Sequence, residues 1–359
     1  MMRQRLHNLR KAFPTYGGNA FVSFDPVTNE YLSGFRGTTS AVIVTAQEAF
    51  LLVDFRYIEQ AGKQACPDWQ VVEISGIPEH RTGEWLNKLH ADVILYEPDR
   101  ITVNRMNLLD SMADGRLKQA PALVSGLREF KDAEELVRLR RAGKVGETAL
   151  MNTIQQTHEG MTEQEFAARL EYEFKRLGAQ RTSFDSIVLF GARSSLPHGM
   201  PGDTPLREGD ILLVDCGCMV DGYCSDLTRT FIFGRICDTW FEEIYECVRE
   251  AQLAALQSVR AGVRAVDVDA IARDIITKAG YGERFGHGVG HGVGLEIHEN
   301  PRLNTQSTAI LAAGMVVTVE PGIYLPGKGG VRIEDLLVVT EDGYELLTTL
   351  PKELQVLKP

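Results

Sequence analysis

The 359-residue chain reads as an α+β protein of two domains, a small α/β domain over 1–126 and a larger one of duplicated α+β halves over 127–359. Three observations predict this. The length gives two domains as a prior. A charged stretch at 127–144, LREFKDAEELVRLRRAGK, changes the composition and starts a long helical pattern. Beyond it, two helical patterns followed by β-type runs occur twice in succession.

A hydrophobic content of 44% with 24% charged residues is ordinary for a soluble globular chain. The net charge of −11 argues against nucleic acid or an anionic membrane as partner. No apolar run approaches the roughly 20 residues of a spanning helix. The start, MMRQRLHNLRKAF, is basic and lacks an apolar core, so it reads as an amphipathic first helix and not as a signal peptide. Cys66, Cys216, Cys218, Cys224, Cys237 and Cys247 contain no C-x-x-C pair and read as free thiols of a reducing cytoplasm. Strand alternation turns Cys216 and Cys218 away from Asp215 and from any ligand role.

In order along the chain, 3–13 is a helical pattern, and 41–45 and 50–53 are apolar strands around a short polar turn. Residues 56–64 read as helix, 83–89 as a weaker one, and 93–96 as a strand. His7, His80 and His90 are isolated and read as surface residues. The helix begun in the charged stretch is expected to end at Gly160. Thr162 and Glu165 then form a capping box for a helix over 163–177. Strands come next at 186–189, 211–218 and 223–233. Helices at 240–259 and 266–279, then β-type runs at 288–296, 315–324 and 330–339, complete the second half.

Two hairpins carry carboxylates. In LLVDCGCMVDGYCSDLTRT, Asp221-Gly222 signals a two-residue turn. That turn sets Val220 opposite Tyr223 and Gly217 opposite Asp226, so Asp215 becomes the diagonal neighbour of Asp226. Glycine at 217 would leave room for a metal. In TVEPGIYLPGKGGVRIED, a loop around 326–329 sets Tyr324 opposite Gly330 and Glu320 opposite Glu334. Like charges facing each other destabilise a sheet, and a shared cation reverses that sign. A third segment, FGHGVGHGVGLEIHENP, places His287, His291 and His298 among glycines. Parity puts His287 and His291 on one face, but only if the glycines leave the strand intact, so the residues alone do not choose the ligand.

Four carboxylates converging with an imidazole would repel strongly. Two like charges ~4 Å apart cost roughly 4 kcal/mol at an effective dielectric near 20. Two divalent ions would balance the four negative charges, which points to hydrolysis by a metal-activated water.

These segments resemble the prolidase/aminopeptidase P family of metallopeptidases. The matching stretches are LLVDCGCMVDGYCSDLTRT, GHGVGHGVGLEIHE, VVTVEPGIY and GVRIED, with LPHG around His198 and VDFRYIEQA in the N-terminal half. The resemblance implies a creatinase-like N-terminal α/β domain and a C-terminal catalytic domain of the pita-bread fold. It makes Asp215 the ligand of one metal, Asp226 and Glu334 bridges between two, and His291 and Glu320 ligands of the other. It makes His298 the contact of the substrate carbonyl, and His198 and His287 linings of the substrate pocket. Arg332 would contact the metal-bound carboxylates or a product carboxylate. Arg302 resembles a prolidase arginine position that holds a dipeptide carboxylate.

The function implied by this resemblance is cleavage of the bond before a proline in second position, by a water bridging two ions, with Glu320 as the proton carrier. One nitrogen among oxygen ligands suits Mn²⁺ best, with Co²⁺ or Zn²⁺ as alternatives. Prolidases cut dipeptides and aminopeptidases P longer chains, and the motifs leave both open. The family is usually dimeric, so a homodimer is expected, in which an N-terminal domain can cap the cleft. A methionine aminopeptidase-like enzyme and a non-catalytic peptide-binding protein on the same fold are the alternatives.

Overall fold

A computed structural model describes residues 2–89, 91–236 and 238–359. His90 and Cys237, both read above as chemically idle, lie outside the described residues. The chain divides into two compact units, Met1–Arg128 and Glu129–Pro359.

The first unit is built on one mixed sheet. Its strands run in the order Gln70–Glu73, Ala49–Val53, Ala41–Thr45, Ala20–Ser23, Ile94–Tyr96 and Leu117–Gln119. The hairpin read at 41–53 is present, closing with Val44 opposite Ala49. Val22, Ile43, Leu52 and Ile94 are buried in its core. The first helix runs Met2–Tyr16 and buries Leu6, Leu9 and Phe13 at helical spacing. The weak helix near residue 83 is Pro78–Lys88. Strand Ala20–Ser23 had no signal because all four of its residues are buried, which removes the alternation that betrays a strand. Helix Pro26–Ser33 was also missed. Asp25 caps it by accepting from the Thr28 N–H, and Pro26 supplies its first residue.

The second unit repeats one plan. Helices Ala133–Ile154 and Glu163–Arg176 pack Leu150, Phe166, Leu170 and Phe174 against a sheet that contributes Val188, Leu212, Val214 and Phe231. That sheet has the order Val356–Leu357, Leu227–Phe233, Ile211–Cys216, Ile187–Phe190. Helices Thr239–Ser258 and Ala265–Lys278 likewise cover a sheet ordered Glu299–Leu303, Gly290–Gly292, Val316–Val319, Asp335–Val339, Tyr344–Leu346.

Two helix-end expectations need correction. The helix from the charged stretch is capped by Asp132 with a full capping box to Glu135, and it ends at Ile154, not Gly160. Gly160, at φ 84°, belongs to the turn that comes after it. Thr162 does cap its helix by accepting from the Glu165 N–H. The Glu165 carboxylate, however, reaches forward to Arg169 instead of back to Thr162, so only half of the expected box forms. Cys216 and Cys218 are packed in the first half's apolar core, which pushes both thiols above their ordinary range.

Candidate metal and substrate site

The carboxylates sit where paired strands break. In the first hairpin the expected register holds on both sides of a gap. Val220 pairs with Tyr223 and Met219 with Cys224, and then Cys216 with Leu227 and Asp215 with Thr228. Asp221 and Gly222 both have positive φ, as a tight two-residue turn requires. Between the paired stretches lie Gly217 and Asp226. A Cβ on Gly217 would meet the Ser225 carbonyl oxygen at 1.9 Å. The glycine therefore makes room for backbone, not for a metal as its position suggested.

The second hairpin behaves likewise. Val319 pairs with Asp335 and Gly322 with Arg332, so one register brackets Glu320 and Glu334. Their amides are diverted out of the ladder, Glu320 N–H to the Val289 carbonyl and Glu334 N–H to the Thr228 carbonyl. Of the predicted run 288–296, only Gly290–Gly292 is strand, with a bulge at His291/Gly292. A Cβ on Gly290 would meet the Thr318 carbonyl oxygen at 2.0 Å. Close backbone approach on both sides accounts for the glycines around His291.

The ten residues singled out from the sequence all line one cavity of about 430 Å³. Asp226, His291 and Glu334 offer ligand atoms within 4.8 Å of one another. His291 Nε2 lies 3.5 Å from Asp226 Oδ2 and 3.3 Å from Glu320 Oε1. Its Nδ1 lies 3.1 Å from the Gly292 carbonyl oxygen, a contact that fixes the ring with Nε2 toward the carboxylates.

Arg332 is buried and donates through Nη2 to Asp215 Oδ2 at 2.5 Å and through Nη1 to the Tyr324 hydroxyl at 2.7 Å. The other Asp215 oxygen, Oδ1, is buried with no hydrogen-bond partner among the described residues. Burial drives the Asp215, Asp226 and Glu334 carboxyls above their usual range, and the neighbouring carboxylates drive Asp226 and Glu334 further. Burial also acts on Glu320, but the hydrogen bond and charge of His291 outweigh it and hold that carboxyl down to about 2. Arg332 and His291 together cannot neutralise four carboxylates. The orphaned Asp215 oxygen, the crowding of four carboxylates and the one imidazole nitrogen that faces them fit divalent cations.

His298 stacks edge-on with His291, ring centroids 4.5 Å apart, and burial followed by the charges of His291 and Arg302 lowers it to about 4. It is therefore a neutral imidazole near pH 7. His287 Nε2 is 2.9 Å from the Tyr324 hydroxyl, and burial lowers its pKa too. His198 is exposed on the loop after Ser195. Arg302 is exposed, sits opposite His291 in the strand pair, and has no side-chain hydrogen bond or ion pair among the described residues. The structural ion pair that its charge would suggest is absent there.

Several supporting residues escaped the sequence reading. Tyr324 joins His287 to Arg332. Arg273 donates to the carbonyls of Phe285 and His287 and holds the His287 loop. Buried Glu163 accepts from the amides of Phe190 and Gly202 and from Arg193, pinning both ends of the loop that bears His198. Only Thr228 had a usable signal. It lies two residues beyond Asp226 and so shares that residue's face.

Residues 137–341 match the model of metallopeptidase family M24, and residues 5–130 match the creatinase/prolidase N-terminal domain. The chain belongs to metallopeptidase family M24, in its prolidase/aminopeptidase P branch with the pita-bread catalytic fold. It is 37% identical over 354 residues to YqhT, an uncharacterized peptidase of Bacillus subtilis strain 168, covering 98% of this chain and 100% of that one. It is similar to an Xaa-Pro dipeptidase from Bacillus anthracis, with TM-score 0.96 and 38% identity over 99% of this chain and all of the other. It is also similar to an X-Pro aminopeptidase from Thermotoga maritima MSB8, with TM-score 0.90 and 36% identity over 96% and 99% of the two chains. Among the described residues no helix is long and apolar enough to cross a membrane.

Proposed function

We propose that this chain hydrolyses the peptide bond between a first residue and a proline in second position. The carrying observation is the constellation of buried Asp215, Asp226, His291 and Glu334 with half-buried Glu320 in a cavity that also presents His198, His287, His298, Arg302 and Arg332. The dipeptidase and aminopeptidase neighbours support the proline specificity. Residues 127–359 would form the catalytic domain, and a homodimer of a cytoplasmic protein is the assembly we expect.

Asp215, Asp226, His291, Glu320 and Glu334 would hold two divalent ions. Oxygen-rich coordination with a single nitrogen favours Mn²⁺ over a thiolate-type metal site. Such ions supply a water of lowered pKa and a positive field at the scissile carbonyl. Glu320, the carboxylate held in its charged form beside His291, takes the proton from the attacking water and returns it to the leaving imino nitrogen. Neutral His298 donates a hydrogen bond to the developing oxyanion. Arg332, fixed by Asp215 and Tyr324, holds the carboxylate geometry. His287 and His198 line the space for the proline ring.

Arg302 favours dipeptides over longer chains. Among the described residues its guanidinium has no side-chain partner, and it lines the same cavity, so a carboxylate on the second residue of the substrate would find a partner there. The test is turnover of Ala-Pro, Ala-Pro-Ala and Ala-Ala by Mn²⁺-loaded protein, with metal content measured on the same sample. We expect Ala-Pro to be cut fastest and Ala-Ala hardly at all. Comparable cleavage of Ala-Ala would overturn the proline specificity, and activity surviving complete metal removal would overturn the metal reading.

A further inference from the structure

We propose that Thr228 is a positioning residue that fixes the carboxylates of the two halves around the metal ions. Thr228 is completely buried and pairs with Asp215 across the first hairpin. Its hydroxyl donates to Glu334 Oε2 at 2.7 Å, and Arg332 Nε donates to that hydroxyl at 3.2 Å. Its carbonyl accepts from the Glu334 N–H at 3.2 Å and from Arg229 Nη1 at 2.9 Å. Asp215 lies within reach of the same hydroxyl.

The chemistry of these neighbours determines which way the hydroxyl points. A threonine hydroxyl has one proton, and a guanidinium only donates. With Arg332 donating to the oxygen, the proton has only carboxylates to serve, and at 2.7 Å it serves Glu334. That bond restrains the terminal rotation of Glu334. Arg332 meanwhile orients the carboxylate of Asp215. The two residues thus orient both carboxylates and leave lone pairs on each for the cations. Asp215 and Asp226 come from the first half of the domain and Glu334 from the second, so their mutual geometry depends on contacts between the halves. Thr228 supplies both a backbone and a side-chain contact at that point.

A buried hydroxyl without a function is a poor choice here. Valine has the same shape, prefers strands equally well, and needs no hydrogen-bond partner. Among the described residues, only the carboxylates and Arg332 use its hydroxyl oxygen.

The inference rests on the reading that these carboxylates hold divalent ions. Its test is a calorimetric titration of metal-stripped protein with Mn²⁺, for wild type, Thr228→Val and Thr228→Ser. Loss of the hydroxyl should weaken at least one Mn²⁺ about 10–100-fold, the usual effect of removing a partner of a metal ligand. Thr228→Ser, which keeps the hydroxyl, should bind within about threefold of wild type, given that the bond itself is retained. A purely structural role would instead show as a fall in the melting temperature of the metal-free protein with no change in affinity. If Thr228→Val does not fold, Thr228→Ala carries the same test. Wild-type affinity in the hydroxyl-free variant, or a serine variant as weak as the valine one, overturns the role of Thr228 alone. Wild-type protein that binds no divalent ion overturns the site reading and this inference with it.

Discussion

Arg302→Ala separates a dipeptidase from an aminopeptidase acting on longer chains. The side chain is exposed, lines the substrate cavity, and bonds to no other side chain among the described residues. Its removal should leave the fold intact, since surface changes of this kind stay within about 0.5 kcal/mol. The melting temperature then serves as a control. The contact it would make with a substrate carboxylate is a charge-assisted hydrogen bond, worth about 1.5–3 kcal/mol when well shielded. Solvent at the exposed guanidinium discounts this toward the 0.2–1 kcal/mol typical of open ion pairs. About 1–2 kcal/mol between these limits corresponds to roughly a 5–30-fold rise in KM for Ala-Pro. The tripeptide Ala-Pro-Ala presents its carboxylate one residue further out, so its KM should stay within about twofold, as for a lost contact worth under 0.5 kcal/mol. Initial rates over a range of both substrates, at fixed saturating Mn²⁺, give the two ratios. Equal shifts for both, or no shift for Ala-Pro, would refute the carboxylate role and leave an aminopeptidase P-like activity as the better description.

Asp226→Asn should lose at least one ion and abolish turnover, because the change removes a charge from the cluster of Asp226, His291 and Glu334; two ions per chain with near-normal rates would contradict the ligand assignment. His298→Ala should keep both ions and lower kcat about 10²–10³-fold, the usual effect of one oxyanion donor. Loss of metal in that variant would mean that the roles of His298 and His291 are exchanged. Glu163→Gln should loosen the loop bearing His198, since it weakens the bonds to Phe190, Gly202 and Arg193. It is expected to raise KM for Ala-Pro several-fold, by about 1 kcal/mol of lost positioning, with kcat and metal content little changed; a fall in kcat with unchanged KM would refute it.

Much of this protein is determined locally and could be read from the chain. The helix pairs of the second unit come from apolar spacing, and the Asp221-Gly222 turn fixes the register that runs through Asp215 and Asp226. The same holds for Tyr324 opposite Gly330, which carries through to Val319 opposite Asp335. Turn geometry and alternation act over a few residues, so they survive without the rest of the fold.

Other features exist only through contacts between distant segments. The bulge at His291 breaks the parity that would have ranked the histidines, and the choice of His291 needs Asp226 and Glu320 around its Nε2. Gly217 has the position of a space for an ion, yet the Ser225 carbonyl fills it. Glu163 and Arg273 lie outside every motif, and Thr228 and Tyr324 lie within motifs that do not reveal their partners. Thr228 matters because the packing of the two halves brings Glu334 to it, and the other three because folding within one half brings a partner to each, as the His287 loop comes to Arg273. Burial has the same origin. Removing four carboxylates from water changes their chemistry, and that removal is a property of the assembled domain and not of any short stretch of sequence.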